Sequence, residues 1–217
     1  MKIVALIAGI FLFSCQTQGT ENNAREENSE SKPTVVEIDY QNLDTATFAG
    51  GCFWCVEASF EQIQGVAEAV SGYSGGTKST ADYRLVSSGR TGHAEAVQVY
   101  FDPSIITYET LLEIFFTAHD PTQLDRQGPD VGPQYRSEIF YHSDEQKQLA
   151  EAKMKELAPE FSRPIVTKLS KLDVFYDAED YHQDYEEKHP NNGYIVNVSR
   201  PKIEKVAKKF KDLLKSN

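Results

Sequence analysis

The chain has 217 residues, of which 40% are hydrophobic and 25% are charged, and its formal net charge is −11 at pH 7. This acidity disfavours nucleic acid as a partner, because phosphate binding relies on clustered Lys and Arg. The length and composition are sufficient for one domain with a sizeable hydrophobic core.

The first fifteen residues differ from the rest of the chain. Lys2 precedes the apolar run Ile3–Phe13, which is too short to span a bilayer and is typical of a signal-peptide core. The run ends at Leu12-Phe13-Ser14-Cys15, which resembles the lipobox of bacterial lipoproteins, where the Cys becomes the acylated N-terminus. We therefore predict a signal peptide over residues 1–14 and lipidation of Cys15. An ordinary secretory signal with an unrelated Cys is the alternative.

Residues 15–44 are rich in Gln, Thr, Asn, Glu and Ser. Such a segment cannot bury enough apolar surface to fold, so we predict a disordered tether. Acyl chains on Cys15 would hold the protein at a membrane. We expect a bacterial cell-envelope location, periplasmic or at the surface, with the folded domain spanning residues 45–217.

Two hydrophobic periodicities alternate along this domain. Strands are predicted over residues 45–49, 66–73, 94–101, 138–141 and 167–175. Helices are predicted over residues 52–64, 108–118 and 143–156, and from about Pro201 onward. The alternation indicates an α/β fold, a two-layer sandwich with helices packed on a mixed sheet. The irregular stretches 74–93 and 119–136 are long enough to be functional loops.

The strongest chemical signal is Gly51-Cys52-Phe53-Trp54-Cys55, at the junction of a predicted strand and helix. The first turn of a helix has unpaired N–H groups and a partial positive charge, so we expect the pKa of Cys52 to fall. Cys55 lies one helical turn further along the same face, close enough for a local disulfide. This arrangement predicts a nucleophilic thiol and a second thiol that resolves it.

Two other interpretations of the cysteine pair remain open. A zinc site would need ligands besides Cys52 and Cys55, and the five histidines do not form a compact ligand pattern. These histidines are His93, His119, His142, His182 and His189. A structural disulfide would close a very short loop and gain little stability. The pattern favours a catalytic dithiol.

Several further motifs follow in order along residues 45–200. They are Ser71–Gly76, Tyr83–Val97 with Gly92-His-Ala-Glu-Ala-Val97, His119–Gln123, Asp130–Ser137 and Ala178–Tyr185. Together with Gly51–Cys55, they resemble the A-class peptide methionine sulfoxide reductase family. The resemblance implies a ferredoxin-like core and no cofactor. It also implies reduction of the S epimer of methionine sulfoxide, free or within oxidised proteins. We expect a monomer and no metal.

The resemblance also implies a role for individual residues. Glu95 matches the acid that protonates the sulfoxide oxygen, and Tyr83 and Tyr135 match phenols that hydrogen-bond it. Asp130 matches a carboxylate that orients the site. Phe53 and Trp54 are expected to surround the substrate methyl group. His182 and Tyr185 are expected to lie near the site.

The chain departs from many members of the family at Cys55, where they have Gly. Those members use cysteines near the C-terminus to resolve the oxidised intermediate, but no cysteine follows Cys55 here. We therefore expect Cys52 to become a sulfenic acid, Cys55 to form a disulfide with it, and a thioredoxin-like donor to reduce that disulfide. The main alternative is a thioredoxin-like thiol–disulfide oxidoreductase. A lipid-tethered binding domain without enzymatic activity is a further alternative.

Overall fold

The computed structural model describes residues 38–216. The strands, in chain order, are β1 (Asp44–Gly50), β2 (Val66–Ser74), β3 (Ala94–Phe101), β4 (Arg126–Gln127), β5 (Asp130–Val131), β6 (Ser137–Tyr141), β7 (Lys168–Lys171) and β8 (Phe175–Asp177). The α-helices are α1 (Phe53–Glu61), α2 (Tyr83–Val86), α3 (Tyr108–Ala118), α4 (Asp144–Leu157), α5 (Tyr185–Lys188) and α6 (Arg200–Lys209). A π-helical turn, Ile195–Ser199, leads directly into α6.

The predicted signal peptide, the predicted lipidation site Cys15 and most of the predicted tether lie outside the described residues. The last part of the predicted tether belongs to the fold. The ring of Tyr40 lies 5.0 Å from that of Tyr100, and its hydroxyl donates a hydrogen bond to Glu68. Within residues 38–216, no helix is long and apolar enough to cross a membrane.

The six-stranded sheet has the order β7-β6-β1-β3-β2-β8. Neighbouring strands are antiparallel, except that β6 and β7 are parallel. Its four central strands are ordered β6-β1-β3-β2, with α1 connecting β1 to β2 and α3 connecting β3 to β6. This is the connectivity of a ferredoxin-like core. The predicted α/β fold, with a mixed sheet and flanking helices, is therefore confirmed.

The hydrophobic core between the sheet and α1 and α3 fixes where α1 begins. Phe48 of β1 is fully buried, and its ring stacks on those of Phe60 in α1 and Phe115 in α3, at centroid distances of 5.3 and 4.9 Å. Aromatic rings packed in this way contribute both buried area and a specific geometry. The start of α1 is consequently held at the end of β1, where the cysteine motif lies.

The strand predicted over Thr167–Phe175 is wrong, because the chain forms two strands there at opposite edges of the sheet. β7 pairs with β6, and β8 pairs with β2. The four peptide units from Lys171 to Phe175 reach at most about 14 Å, whereas the edges of a flat six-stranded sheet lie about 24 Å apart. The sheet must therefore curl until its two edges approach each other. The apolar pattern gave no sign of this change of partner strand.

Candidate active site

Cys52 is the N-cap residue of α1, immediately after the sharp turn that leaves β1. Gly51 has a φ of 100°, which L side chains rarely adopt. A Cβ atom on Gly51 would also lie 2.6 Å from the side chain of Gln127. Glycine at this position therefore allows the chain to turn tightly and to present Cys52 at the start of the helix.

A cavity of about 190 Å³ lies beside Cys52. Its lining residues are Cys52, Phe53, Trp54, Tyr83, Glu95, Asp130, Tyr135 and Tyr194. All the residues predicted to act at the site line this cavity except Cys55, which is buried behind Cys52 on α1 and is 2% exposed. Both thiols are free. The structure thus brings together groups from the start of α1, from α2, β3 and β5, and from the segments that contain Tyr135 and Tyr194.

Glu95 of β3 is buried at the base of the site, with 2% of its surface exposed. Its Oε2 accepts a hydrogen bond of 3.1 Å from the backbone N–H of Phe53 in the first turn of α1. Burial raises the pKa of Glu95 to about 8, although the Phe53 N–H partly opposes this rise. Glu95 therefore carries a proton at neutral pH and can act as a general acid.

The resting Cys52 thiol does not have the lowered pKa expected from its position at the helix N-terminus. Burial raises its pKa well above the usual value, and the neighbouring Cys55 and Glu95 raise it further. The Phe53 N–H points at Glu95 and not at the thiol. The expectation of a lowered pKa for Cys52 is therefore wrong for the reduced pair.

The negative charge of the reduced pair is favoured on Cys55. The pKa of Cys55 is lowered mainly because the Cys52 thiol donates a hydrogen bond to it, while burial opposes this effect. Lys202 Nζ and the Tyr194 hydroxyl each lie 4.0 Å from Cys55 Sγ. A hydrogen bond from a neighbouring thiol and a nearby ammonium both stabilise a thiolate.

Three phenol groups face the cavity from different parts of the chain. The pKa values of Tyr83 and Tyr135 are raised by burial, that of Tyr83 to about 12. Tyr194 donates a 2.6 Å hydrogen bond to Asp130 Oδ2, and burial also raises its pKa. All three phenols stay protonated at neutral pH, so Tyr83 and Tyr135 can donate hydrogen bonds to an oxygen in the cavity.

Trp54 forms an aromatic wall that depends on residues far along the chain. Its ring stacks on that of Tyr185, with a centroid distance of 3.7 Å and an angle of 8°. Its Nε1–H donates a 3.2 Å hydrogen bond to Nδ1 of His182, which is almost fully buried. The prediction that His182 and Tyr185 lie near the site is therefore consistent with their positions, and both support Trp54.

Sequence reasoning did not identify Tyr194 or Lys202 as parts of the site. Tyr194 is one of 11 tyrosines, and it follows Asp130, its hydrogen-bond partner, by 64 residues. Neither residue belongs to a local motif that carries chemistry. Within the described residues, no group of three or more His, Cys, Asp or Glu side chains is arranged to hold a metal ion.

Comparison with known proteins agrees with this geometry. The family model described as peptide methionine sulfoxide reductase matches residues 44–214. The chain belongs to the peptide methionine sulfoxide reductase family. It is therefore an oxidoreductase, and the motif-based recognition of the family is confirmed. This result favours the reductase over the thioredoxin-like and non-enzymatic alternatives.

Members of the family with curated names are similar over most of their length. The chain is 56% identical to the peptide methionine sulfoxide reductase MsrA of Thermus thermophilus, over 79% of this chain and 98% of that protein. It is 54% identical to the protein of the same name from Pasteurella multocida, over 78% and 98% of the two chains. The match therefore covers almost the whole of these relatives.

Solved structures of the family share the fold. Reduced Mxr1 from Saccharomyces cerevisiae superposes with a TM-score of 0.67 and 36% identity, covering 73% of this chain and 92% of that one. Methionine sulfoxide reductase A of Corynebacterium diphtheriae superposes with a TM-score of 0.66 and 35% identity, covering 69% and 76%.

Burial of Glu95 predicts a specific dependence of stability on pH. The native carboxyl keeps its proton up to about pH 8, whereas an unfolded Glu loses it near pH 4.3, roughly. Between these values the native state binds more protons, so the free energy of unfolding falls as pH rises. Glu95→Gln removes this contribution. Between about pH 5 and pH 8.5, the free energy of unfolding should therefore fall by about 2–4 kcal/mol more in the wild type than in the variant.

Denaturant unfolding of both proteins at the two pH values measures this difference. The exposed Glu145 provides the control, since Glu145→Gln should retain the wild-type pH dependence. Equal losses of stability in the wild type and in Glu95→Gln would show that the native pKa of Glu95 is not raised.

Proposed function

We propose that this oxidoreductase reduces the S epimer of methionine sulfoxide, free or in oxidised proteins, and so repairs oxidative damage. The observation that supports this proposal most strongly is the small cavity in which the Cys52 thiol and the protonated Glu95 both face the same space. A sulfoxide sulfur is a poor electrophile until its oxygen is protonated. A thiol and a buried acid at one cavity meet both requirements of the reaction.

The proposed first step transfers the sulfoxide oxygen to Cys52. Glu95 gives its proton to the oxygen as Cys52 attacks the substrate sulfur, and Glu95 then takes up the proton of the neighbouring Cys52 thiol. The attack forms a bond between Cys52 Sγ and the substrate sulfur. This bond and the sulfur–oxygen bond of the substrate then break as the oxygen, now a hydroxyl, bonds to Cys52 Sγ and methionine leaves. The substrate sulfur gains two electrons and Cys52 loses two, becoming a sulfenic acid.

The surroundings of the cavity suit a methyl sulfoxide. Phe53 and Trp54 offer apolar surface for the methyl group, while Tyr83 and Tyr135 offer donors for the oxygen. A sulfoxide sulfur carries the methyl group, the oxygen, the rest of the methionine side chain and a lone pair, so it is chiral. A site that holds the methyl group and the oxygen at separate places accepts only one epimer if the rest of the side chain must point outward. The motif resemblance implies that this epimer is S.

We further propose that Cys55 resolves the Cys52 sulfenic acid. Its thiol lies behind Cys52 on the same helix, and both thiols are free in the reduced state. The resulting Cys52–Cys55 disulfide is then reduced by a thioredoxin-like dithiol through thiol–disulfide exchange. The reaction needs no cofactor other than this reductant.

The substrate proposal is tested with the purified full-length chain, dithiothreitol, and peptides that carry one defined epimer of methionine sulfoxide. We expect reduction of the S epimer and none of the R epimer, with Cys52→Ser as the inactive control. Reduction of protein disulfides without reduction of either epimer would instead support a thioredoxin-like oxidoreductase.

Cys55→Ser tests the resolving role. With thioredoxin as the donor, we expect about one methionine per enzyme and then a stalled Cys52 sulfenic acid that a dimedone probe labels. The wild type should continue through many turnovers and accumulate no label. Sustained turnover by Cys55→Ser with thioredoxin would remove Cys55 from the mechanism.

For location, we propose a monomer anchored by acyl chains on Cys15 to a membrane of the bacterial cell envelope. The support is the apolar run that ends at this Cys. In that compartment a thioredoxin-like envelope protein would supply the electrons. Metabolic labelling with palmitate should mark the wild type and fail to mark Cys15→Ser, whereas equal labelling of the two would contradict lipidation at Cys15.

A further inference from the structure

The C-terminal part of the fold surrounds the Cys55 thiol. The π-helical turn Ile195–Ser199 and the start of α6 lie between Tyr194 and Lys202. Turns of π-helix interrupt regular helix and occur frequently at functional sites. This segment brings a phenol, a hydroxyl and an ammonium group to one side of the resolving cysteine.

Lys202 is the positively charged group at this thiol. Its Nζ lies 4.0 Å from Cys55 Sγ in a half-buried position. Among the described residues, no carboxylate lies within ion-pairing distance of this ammonium. The charge of Lys202 is therefore available to a thiolate on Cys55.

Ser199 supplies a second, independent observation. Its side chain is fully buried, and its hydroxyl has no conventional hydrogen-bond partner in the described part of the chain. A buried hydroxyl without a partner is costly unless another state of the protein satisfies it. Ser199 lowers the pKa of Cys55, so the thiolate is the acceptor that this hydroxyl fits.

We propose that Lys202, assisted by Ser199, is a positioning residue that holds Cys55 as a thiolate for its attack on the Cys52 sulfenic acid. This inference rests on the resolving role proposed for Cys55. In this step Cys55 Sγ forms a bond to Cys52 Sγ, and the sulfur–oxygen bond of the sulfenic acid breaks. The oxygen takes up the proton of Glu95, which lines the same cavity, and leaves as water. By formal oxidation state Cys55 loses one electron and the sulfenic sulfur gains one, so no other oxidant is needed.

Other titratable groups around Cys55 do not supply the same stabilisation. The groups that face it or the neighbouring cavity are Cys52, Tyr83, Glu95, Asp130, Tyr135 and Tyr194. Tyr83 and Tyr135 are phenols and carry no positive charge. Cys52 is consumed as the sulfenic acid in this step, Glu95 and Asp130 are acids, and the Tyr194 hydroxyl already donates to Asp130. Lys202 is thus the group that keeps a positive charge beside Cys55 throughout the reaction.

Single-turnover kinetics of Lys202→Met test the proposal. The reduced full-length chain is mixed with one equivalent of an S-epimer peptide, and methionine, dimedone-labelled sulfenic acid and disulfide are measured with time. We expect a normal yield and rate of methionine, but a roughly tenfold slower loss of sulfenic acid near pH 7. The pH at which this loss is half-maximal should rise by about one unit, the same tenfold effect.

Matched variants separate charge from packing. Lys202→Arg should restore the rate of sulfenic-acid loss and its pH midpoint to the wild-type values. Ser199→Ala should change both in the same direction as Lys202→Met, but by a smaller amount. The exposed Lys205 lies one turn along α6, so Lys205→Met should behave like the wild type. The normal methionine burst of Lys202→Met also shows that this variant folds.

Two results would overturn the inference: loss of sulfenic acid by Lys202→Met at the wild-type rate and pH midpoint, or a slowed methionine burst. Failure of the underlying function gives a different result. If Cys55→Ser turns over repeatedly with thioredoxin, the resolving role of Cys55 is wrong, regardless of the kinetics of Lys202→Met. If Cys55→Ser stalls while Lys202→Met resolves normally, only the role of Lys202 fails.

Discussion

The chemistry of this site depends on the burial of Glu95 against the first turn of α1. A helix start has N–H groups without partners, and the carboxyl of Glu95 satisfies one of them, that of Phe53. The rest of the carboxyl is removed from water, which raises its pKa to about 8. The register of β3 beside β2, in which Glu95 lies opposite Tyr73, places the acid at this point. The position of this buried, protonated carboxyl is thus a product of sheet pairing and helix placement together.

The same hydrogen bond changes the expected behaviour of the thiols. Because the Phe53 N–H serves Glu95, the helix start does not stabilise a thiolate on Cys52, and burial raises the pKa of this thiol. The charge of the pair is favoured on Cys55, where the C-terminal segment supplies donors. Cys52 therefore faces the cavity beside Glu95, and Cys55 faces the C-terminal segment. Two cysteines one turn apart acquire different environments because different elements cover them.

Local sequence patterns predicted the elements that form the ferredoxin-like core, and the boundaries of β3 and α3 agree with the prediction. They did not predict that Thr167–Phe175 divides between the two edges of the sheet, because periodicity shows which residues are apolar and not which strand they pair with. For the same reason the sequence did not reveal Lys202, which lies 147 residues from Cys55. Contacts across such separations leave no local pattern.

The sequence alone determined the candidate groups and their spacing: a thiol at a strand–helix junction, a second thiol one helical turn away, and motifs of one reductase family. These features are local. Gly51 allows the turn between strand and helix, and the apolar periodicity sets the strand and the helix on either side of it. Only the tertiary structure decided that Glu95 is buried and protonated, that Lys202 lies beside Cys55, and that Tyr194 lines the cavity. The reason is physical: desolvation and electrostatic interaction depend on the groups that surround an atom in space, and here these come from distant parts of the chain.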